Sequence, residues 1–290
     1  MKKILVTGAT GFIGQYVIDW LLRREYAVIA TSSDEQRARL FGWYGKVHYI
    51  PFDLARLTPS TDYYSFFGRP DSLIHLAWEG LPNFRSSFHM EGNLPRQAAF
   101  LENLVSNGLR DVNVTGTCLE YGMQEGCLRE EMPAMPEVAY ARAKNELRLL
   151  LEKWQDRSPF FLKWIRLFYM YGKGQNPNSL FSQLDRALDN QETVFNMSGG
   201  EQIRDYLPVE RLAEYIGRIA LQQTTGGIIN CCSGKPVTVL EMVNAHLETR
   251  HRSIRLNRGY YPYPDYEPMC FWGDTEKLNR ALGGSGGDNA

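Results

Sequence analysis

The chain has 290 residues, a formal net charge of -1 and an ordinary share of apolar and charged side chains. This balance predicts no attraction to nucleic acid or to an anionic membrane surface. The five cysteines form no CxxC pair and are odd in number, so we expect no disulfide framework. No stretch approaches the about 18 apolar residues of a membrane span, and the apolar run at 4–6 is too short for a signal peptide, which favours a cytoplasmic protein.

Strand and helix patterns alternate along the first part of the chain. The predicted strands are residues 3–7, 26–31, 46–51, 71–77, 111–115 and 160–167, and the predicted helices are residues 12–24, 35–41, 59–67, 96–107 and 140–154. Because such alternation requires crossover connections, it predicts an α/β fold of the Rossmann type, a doubly wound parallel sheet with helices on both faces.

The pattern changes after about residue 168. The predicted elements there are helices at 180–190, 209–222 and 239–249, a pair of short strands at 192–196 and 203–206, a strand at 227–231 and an irregular segment rich in tyrosine and proline at 258–271. We therefore predict a dinucleotide-binding domain over 1–168, a smaller C-terminal α/β substrate lobe over 169–282, and a flexible tail over 283–290.

Three glycines follow the first predicted strand and open the first helix. Gly8 permits a tight turn, Gly11 lets the backbone approach a pyrophosphate, and Gly14 lets helix and strand pack closely. A phosphate would lie at the helix N-terminus, near Phe12 and Ile13, where amide groups and the helix dipole favour an anion. The turn predicts a bound dinucleotide, and a glycine turn without a ligand is the alternative.

The end of the second strand suggests which dinucleotide binds. Ser32 stands where a carboxylate commonly accepts the ribose hydroxyls of NAD, and Asp34 comes only two residues later. Arg37 and Arg39 follow, and guanidinium groups suit a 2′-phosphate. The pattern favours NADP(H), with NAD(H) as the alternative, and the arginines could equally form a solvated helix face.

Two further polar residues follow predicted strands. The Asp53 carboxylate could accept a hydrogen bond from an adenine amino group, or could cap a helix N-terminus. His75 fits a buried histidine that supports the site, because no partner cluster suggests a metal. We expect no metal centre.

Tyr140 and Lys144 are four residues apart on a predicted helix, so they share one face. An ammonium beside a phenol would favour the phenolate and lower the pKa of the tyrosine, which could then donate a proton to a carbonyl oxygen. Thr117 follows the fifth strand, at the sheet edge where open α/β sheets bind ligands, and its hydroxyl could hold the same oxygen. The alternative is a surface Tyr–Lys pair on an amphipathic helix.

Together these motifs resemble the extended short-chain dehydrogenase/reductase family, in its nucleotide-sugar epimerase, dehydratase and reductase branch. The matching segments are TGATGFIG at 7–14, IHLAW at 74–78, TGTCLEYG at 115–122, YARAK at 140–144, RLFYMYG at 166–172 and RDYLPVERLAEYI at 204–216. The resemblance implies catalysis by Thr117, Tyr140 and Lys144. It implies a cofactor site of Gly8, Gly11, Phe12, Ile13, Gly14, Ser32, Ser33, Arg37, Asp53, Leu54, Leu76, Ala77, Tyr140 and Lys144. It implies a substrate site of Trp78, Thr117, Tyr140, Tyr169, Asn178 and Arg204.

Three details qualify the resemblance. Arg204 matches the family arginine that contacts the diphosphate of the sugar nucleotide, although an ion pair with Asp205 or Glu201 is the alternative. Tyr169 stands where the family often has asparagine, and Lys173 where it usually has proline. The resemblance also implies a homodimer that packs the helices at 96–107 and 140–154 against those of a second copy.

The residues after Thr117 restrict the reaction. Cys118 and Leu119 replace the Asp-Glu pair that the resemblance implies for 4,6-dehydratases, so elimination is not expected. The resemblance implies that epimerases assisted by a cysteine carry it two residues after the catalytic hydroxyl, which is Leu119 here. Cys118 lies one residue before that position and would face away on an extended segment, so this epimerisation is also disfavoured. A C4 epimerase with tightly held NAD and a 4-ketoreductase remain, and Ser32 favours the reductase. The segments at 78–83 and 261–282 are similar to reductases of dTDP-4-keto-6-deoxyhexoses, which serve surface polysaccharide and O-antigen synthesis; a non-catalytic dinucleotide sensor is a third interpretation.

Overall fold

The computed structural model describes residues 2–283. Its strands are, in chain order, β1 (Lys3–Thr7), β2 (Ala27–Ser32), β3 (His48–Pro51), β4 (Ser72–His75), β5 (Asp111–Thr117), β6 (Gly126–Leu128), β7 (Phe161–Leu167), β8 (Tyr169–Tyr171), β9 (Val194–Asn196), β10 (Ile203–Pro208), β11 (Gly227–Cys231), β12 (Pro236–Thr238), β13 (Arg255–Asn257) and β14 (Phe271–Gly273). Its helices are α1 (Phe12–Leu22), α2 (Glu35–Ala38), α3 (Tyr63–Phe66), α4 (Leu94–Ser106), α5 (Ala139–Gln155), α6 (Leu180–Asp189), α7 (Val209–Leu221), α8 (Val239–Thr249) and α9 (Glu276–Ala281). Within this part of the chain, no helix is both long and apolar enough to cross a membrane.

Seven of these strands form one parallel sheet in the order β11-β7-β5-β4-β1-β2-β3. Alternate residues of β1 lie in two separate apolar clusters, with Ile4 and Val6 packed among side chains of α1 and α7, and Leu5 among those of α4 and α5. A parallel strand covered by helices on both faces is apolar throughout, which is why β1 reads as an unbroken apolar run. The predicted Rossmann-type fold is confirmed.

The sheet continues beyond the predicted domain boundary at residue 168, which is a correction to the predicted domains. β11 lies at the edge of the sheet and pairs with β7. α7 covers the same face as α1, and its Gly217 leaves room for the indole of Trp20. The sequence assigned β11 and α7 to the smaller lobe because they follow residue 168. Chain order alone does not show which layer an element joins.

The smaller lobe has its own apolar cluster, with Leu184 and Leu188 of α6 packed against Phe195 and Val243. The two short strands predicted as a pair at 192–196 and 203–206 do not pair with each other. β9 pairs with β13, whereas β10 pairs with β8 and β12. Three-residue strands carry too little pattern to identify their partners.

The segment predicted to be irregular, 258–271, forms no regular helix or strand over 258–270, whereas Phe271 begins β14. It leads into β14, and an isolated bridge joins its Cys270 to Ile203 of β10. The segment is therefore held against the lobe beside the carboxyl edge of the main sheet. Residues 284–290 of the predicted tail lie outside the described residues.

Candidate active site

The glycine turn has the close approaches that its sequence predicts. Gly8 has a φ of +67°, and a Cβ there would lie 2.8 Å from the backbone nitrogen of Ala77. A Cβ on Gly14 would collide with the carbonyl oxygen of Gly8. The residue that precedes α1 is Gly11, which offers no side-chain cap, so the first amide groups of the helix are available to an anion. The predicted residues Phe12 and Ile13 are the first two of this helix.

A buried chain of hydrogen bonds holds the glycine turn against the end of β4. The hydroxyl of Thr7 lies 2.8 Å from Nδ1 of His75, and Nε2 of His75 lies 2.6 Å from Oε1 of Gln97. Gln97 donates to the carbonyl oxygen of Ala77 at 3.0 Å, and the Thr7 oxygen accepts from the amides of Leu76 and Ala77. Burial lowers the pKa of His75 to about 3, so this ring stays neutral and supports the loop that carries the predicted cofactor residues.

The end of β2 is less basic in the structure than its sequence suggested. Ser32 is bonded to the hydroxyl of Tyr49 at 2.8 Å, and Asp34 caps the N-terminus of α2. Arg39 forms an ion pair of 2.7 Å with Glu35, so its charge is compensated. Arg37 is exposed, as is the predicted residue Ser33. Of the two arginines that favoured NADP(H), one is therefore already paired with a carboxylate.

Asp53 accepts a hydrogen bond of 2.9 Å from the amide of Ala55, where it caps a short 3₁₀ turn that begins at Leu54. This is the capping role that the sequence offered as the alternative to an adenine contact. The two roles are compatible, because a carboxylate has four lone-pair sites.

The Tyr140–Lys144 pair lies where its spacing predicts, at the start of α5. The Tyr140 amide donates to the carbonyl oxygen of Phe84 at 2.9 Å, and the phenol is 8% exposed. Lys144 is 2% exposed and donates from Nζ to the carbonyl oxygen of Thr115 at 2.8 Å. The surface-pair alternative is therefore wrong, because both side chains are buried.

The pKa of Tyr140 is shifted in the direction opposite to the one that the sequence predicted. Burial raises the pKa of Tyr140 well above its ordinary value, with further increases from Glu120 and Cys118 and only the Thr117 hydroxyl acting to lower it. Lys144, which the sequence expected to lower the pKa of Tyr140, is not among the causes of the shift. Burial also lowers the pKa of Lys144, to about 7, while Glu120 opposes this change. Tyr140 is therefore a neutral phenol at physiological pH, which suits a proton donor.

Glu120 is a buried carboxylate that the sequence analysis missed. Its side chain accepts hydrogen bonds from the amide of Thr117 at 2.9 Å, from Nε1 of Trp164 at 3.0 Å and from Nε of Arg166 at 2.8 Å. Its negative charge favours the charged form of Lys144. The only available signal was an acidic residue in the otherwise uncharged segment TGTCLEYG at 115–122.

Thr117 ends β5 at the carboxyl edge of the sheet and is 7% exposed. Cys118 and Leu119 after it lie in a 3₁₀ turn and not on an extended segment, so the reason given for disfavouring Cys118 was wrong. Cys118 nevertheless packs in an apolar cluster with Phe168 and Phe271, whereas Leu119 packs against the cluster that contains Tyr140. Burial raises the pKa of the Cys118 thiol far above its ordinary value, so the thiol stays protonated at physiological pH and no thiolate is present to act as a base.

Some of the predicted substrate residues lie together around Tyr140, and others lie apart from it. Trp78 lies beside Tyr140 with their ring centroids 5.9 Å apart, and Phe84 and Tyr266 pack at the same place. Asn178 is exposed in the loop before α6 and is not part of this cluster. The candidate pocket is therefore aromatic where it meets Tyr140.

Arg204 is 1% exposed and forms an ion pair of 3.1 Å with Glu267 of the irregular segment. The sequence had offered an ion pair of Arg204 with Asp205 or Glu201 as an alternative, and the predicted partner is wrong. Asp205 instead accepts hydrogen bonds from Ser233 and from neighbouring backbone amides. The guanidinium lies 5.7 Å from the ring centroid of the predicted residue Tyr169. Arg204 is thus close to the pocket, with its charge engaged by a carboxylate.

Cavities of about 620, 530 and 500 Å³ lie elsewhere, and none of them is lined by a predicted site residue. Among residues 2–283, no three His, Cys, Asp or Glu side chains lie close enough together to hold a metal ion.

Comparisons with known proteins show the family of this chain. The family described as the NAD dependent epimerase/dehydratase family matches residues 4–232. The dTDP-6-deoxy-L-talose 4-dehydrogenase (NAD(+)) of Aggregatibacter actinomycetemcomitans is 28% identical over 272 residues, which are 93% of this chain and 99% of that protein. The GDP-6-deoxy-D-talose 4-dehydrogenase of the same organism is 25% identical over 97% of this chain and 91% of its own length.

Solved structures show the same fold. MoeE5 in complex with UDP-glucose and NAD superposes with a TM-score of 0.83 at 24% identity, over 99% of this chain and 94% of that one. The UDP-glucuronic acid 4-epimerase from Bacillus cereus, in complex with UDP-glucuronic acid and NAD, has a TM-score of 0.83 at 22% identity, over 99% and 95% of the two chains. At these identities the likeness concerns the fold alone.

Proposed function

The chain belongs to the NAD dependent epimerase/dehydratase family, and from that premise we propose that it reduces the C4 keto group of a nucleotide-linked 4-keto-6-deoxyhexose. We propose a dTDP-linked substrate, because a relative that matches over nearly its whole length is named as a dTDP-6-deoxy-L-talose 4-dehydrogenase. The product would enter deoxysugar synthesis for a surface polysaccharide.

The observation that carries this proposal is a neutral, buried phenol beside a hydroxyl at the carboxyl edge of the sheet. Tyr140 would donate its proton to the C4 oxygen while hydride reaches the carbon, and Thr117 would donate a hydrogen bond to the same oxygen. The ammonium of Lys144, held by the Thr115 carbonyl, would stabilise the phenolate that remains. Cys118 and Leu119 supply no acid–base pair for elimination.

The glycine turn fits a dinucleotide, because the close backbone approaches at Gly8 and Gly14 form the tight turn that leads into the uncapped N-terminus of α1. Such a cofactor would supply the hydride. The uncapped N-terminus of α1 would bind its pyrophosphate, and Leu76 and Ala77 would lie along it at the end of β4. Lys144 would keep an N–H group for its ribose.

We propose NAD(H) as the working cofactor. The sequence favoured NADP(H), but Arg39, one of the two arginines of that signal, is paired with Glu35, and the Asp34 carboxylate stands two residues after Ser32. A carboxylate repels a 2′-phosphate, and the dehydrogenase relative is named as NAD(+)-dependent. The proposal predicts a higher kcat/KM with NADH than with NADPH. Because the Arg37 side chain is exposed to solvent, Arg37→Ala should leave kcat/KM unchanged with both cofactors.

The first test follows absorbance at 340 nm with dTDP-4-keto-6-deoxyhexoses and either reduced cofactor, and in reverse with dTDP-6-deoxy-L-talose and either oxidised cofactor. NMR of the product identifies the configuration at C4. Net oxidation of the cofactor with appearance of a 4-hydroxyl supports the reductase. Interconversion of two sugar nucleotides without net oxidation would instead establish the C4 epimerase, and absence of both reactions would leave the dinucleotide-sensor interpretation.

We also propose that the protein forms a homodimer through the outer surfaces of α4 and α5. Those helices pack against each other and against the sheet through Phe100, Leu104, Leu147 and Leu151, whereas Leu149 is 44% exposed. Sedimentation equilibrium of the wild type and of Leu149→Glu would test this. A wild-type monomer at micromolar concentration would contradict it.

A further inference from the structure

The indole of Trp78 lies against both groups that would move the proton. The ammonium nitrogen of Lys144 is 4.1 Å from the centroid of the indole ring. The same ring meets the Tyr140 ring edge-on, with an interplanar angle of 71°. Tryptophan is the aromatic residue whose face attracts a cation most strongly, and the attraction increases when the cation is removed from water. One side chain therefore touches both members of the catalytic pair.

His89 holds this indole in place. The Nε1–H group of Trp78 donates to Nδ1 of His89 at 3.1 Å, and Nε2 of His89 lies 2.9 Å from the carbonyl oxygen of Asn83. Because Nδ1 accepts one bond and a carbonyl oxygen accepts the other, the ring is neutral with its proton on Nε2. Burial lowers the pKa of His89, so this state persists at physiological pH.

The backbone around His89 is arranged to support these contacts. A π-helical turn over His89–Asn93 leads directly into α4, and such turns are rare and often occur at functional sites. The turn places both of its polar end residues inward, since His89 is fully buried and Asn93 is 2% exposed. Asn93 donates to the carbonyl oxygen of Glu79 at 2.8 Å, next to Trp78 in the chain.

We infer that Trp78 and His89 are positioning residues of this active site: the indole face holds the ammonium of Lys144, and His89 fixes the indole. The inference rests on the proposed function, because the groups that are positioned are those that would transfer the proton. It gives Trp78 a role different from the substrate contact that the family resemblance implies.

The charge of Lys144 reports on this contact. Besides Tyr140, the titratable groups that face it are Glu120, which favours the ammonium, and the neutral rings of His75 and His89. A cation–π contact also stabilises the ammonium, so it acts in the same direction as Glu120. Loss of the indole face should lower the pKa of Lys144 by roughly half to one unit.

The first experiment compares Trp78→Leu with Trp78→Phe in the pH profile of kcat/KM. Leucine should move the alkaline limb to lower pH by roughly half to one unit, and phenylalanine by less, because it keeps a weaker π face. A limb that stays in place, or that moves to higher pH with leucine, would overturn the inference, since the indole would then only exclude water.

The second experiment adds a spectroscopic readout that does not depend on turnover. In protein labelled with ¹⁵N on tryptophan and histidine, the Nε1–H resonance of Trp78, assigned by Trp78→Phe, should move in His89→Leu and return toward its original position in His89→Gln, whose amide oxygen can accept. His89→Leu should lower kcat roughly three- to tenfold with little change in KM, as expected for one hydrogen bond. An identical Trp78 resonance in wild type and His89→Leu would overturn the role of His89. A protein with the expected resonances but no ketoreductase activity would contradict the proposed function alone.

Discussion

Two buried ion pairs flank the candidate active site, and they differ in what holds them. Glu120 and Arg166 lie 2.8 Å apart, and their side chains are 0% and 1% exposed. Arg204 and Glu267 lie 3.1 Å apart, with side chains that are 2% and 11% exposed. The first pair joins the turn after β5 to the neighbouring strand β7. The second joins β10 to the irregular segment at 258–270.

The difference separates the fixed part of the site from the part that can adjust. Glu120 also holds the Thr117 amide and the Trp164 indole, so it cannot move without disturbing the centre of the parallel sheet. Glu267 lies on a segment without regular structure. A negatively charged substrate group could therefore replace Glu267 on Arg204, while nothing similar could replace Glu120.

The largest difference between the pairs should be in stability. Glu120→Gln leaves the buried Arg166 without its counter-charge and should lower the free energy of unfolding by about 3–5 kcal/mol. Glu267→Gln should cost only about 1 kcal/mol, because its segment can rearrange around Arg204. Denaturation by urea, followed by circular dichroism, measures both. Equal losses would show that the two pairs are equally fixed.

The chemistry should depend on the fixed side of the site. Tyr140→Phe removes the proton donor and should lower kcat by about 10²-fold or more, while the cofactor still binds. Tyr64→Phe is the matched control, because Tyr64 belongs to α3, which precedes β4 and lies away from the carboxyl edge of the sheet. Stopped-flow assays and calorimetric titration with cofactor give the two readouts. Undiminished turnover in Tyr140→Phe would refute its role.

The adjustable pair should affect substrate binding and not the chemistry. If the diphosphate of the substrate competes with Glu267 for Arg204, Glu267→Gln should lower KM for the sugar nucleotide by roughly three- to tenfold with kcat little changed. Glu201→Gln is the control, since that carboxylate is exposed and pairs with Arg258. A raised KM in Glu267→Gln would mean that Glu267 itself contacts the substrate.

The smallest expected effect is on the pH dependence. The pKa of Lys144 is lowered to about 7, so its ammonium is present below that pH and is lost as the pH rises through it. The value of kcat/KM, which reports groups of the free enzyme, should therefore fall above about pH 7. Glu120→Gln removes a charge that favours the ammonium and should move this fall to lower pH by less than about one unit. The Glu267→Gln profile should match that of the wild type.

Features that depend on near neighbours in the chain were predictable. The i, i+4 spacing of Tyr140 and Lys144 identified one helix face, and the glycine turn identified the end of β1 and the start of α1. The family motifs then led to the fold, which is confirmed. The reaction, its direction and its sugar remain predictions, as do the individual site residues.

Features that depend on distant parts of the chain were not predictable. β11 and α7 were assigned to the smaller lobe because they come late in the sequence, and Glu267 was not foreseen as the partner of Arg204, 63 residues away. The expected direction of the Tyr140 pKa was wrong because spacing shows which charges are near but not how far water is excluded.

The amino-acid sequence by itself determined the alternating elements, the glycine turn and the candidate catalytic side chains, because each depends on a pattern that spans one strand or a few helical turns. The tertiary structure decided the charge of those side chains, their partners Glu120, Trp78 and His89, and the layer that each late element joins. The physical reason is that burial and ion pairing depend on which segments meet in space, and segments far apart in the chain meet here at the carboxyl edge of one sheet.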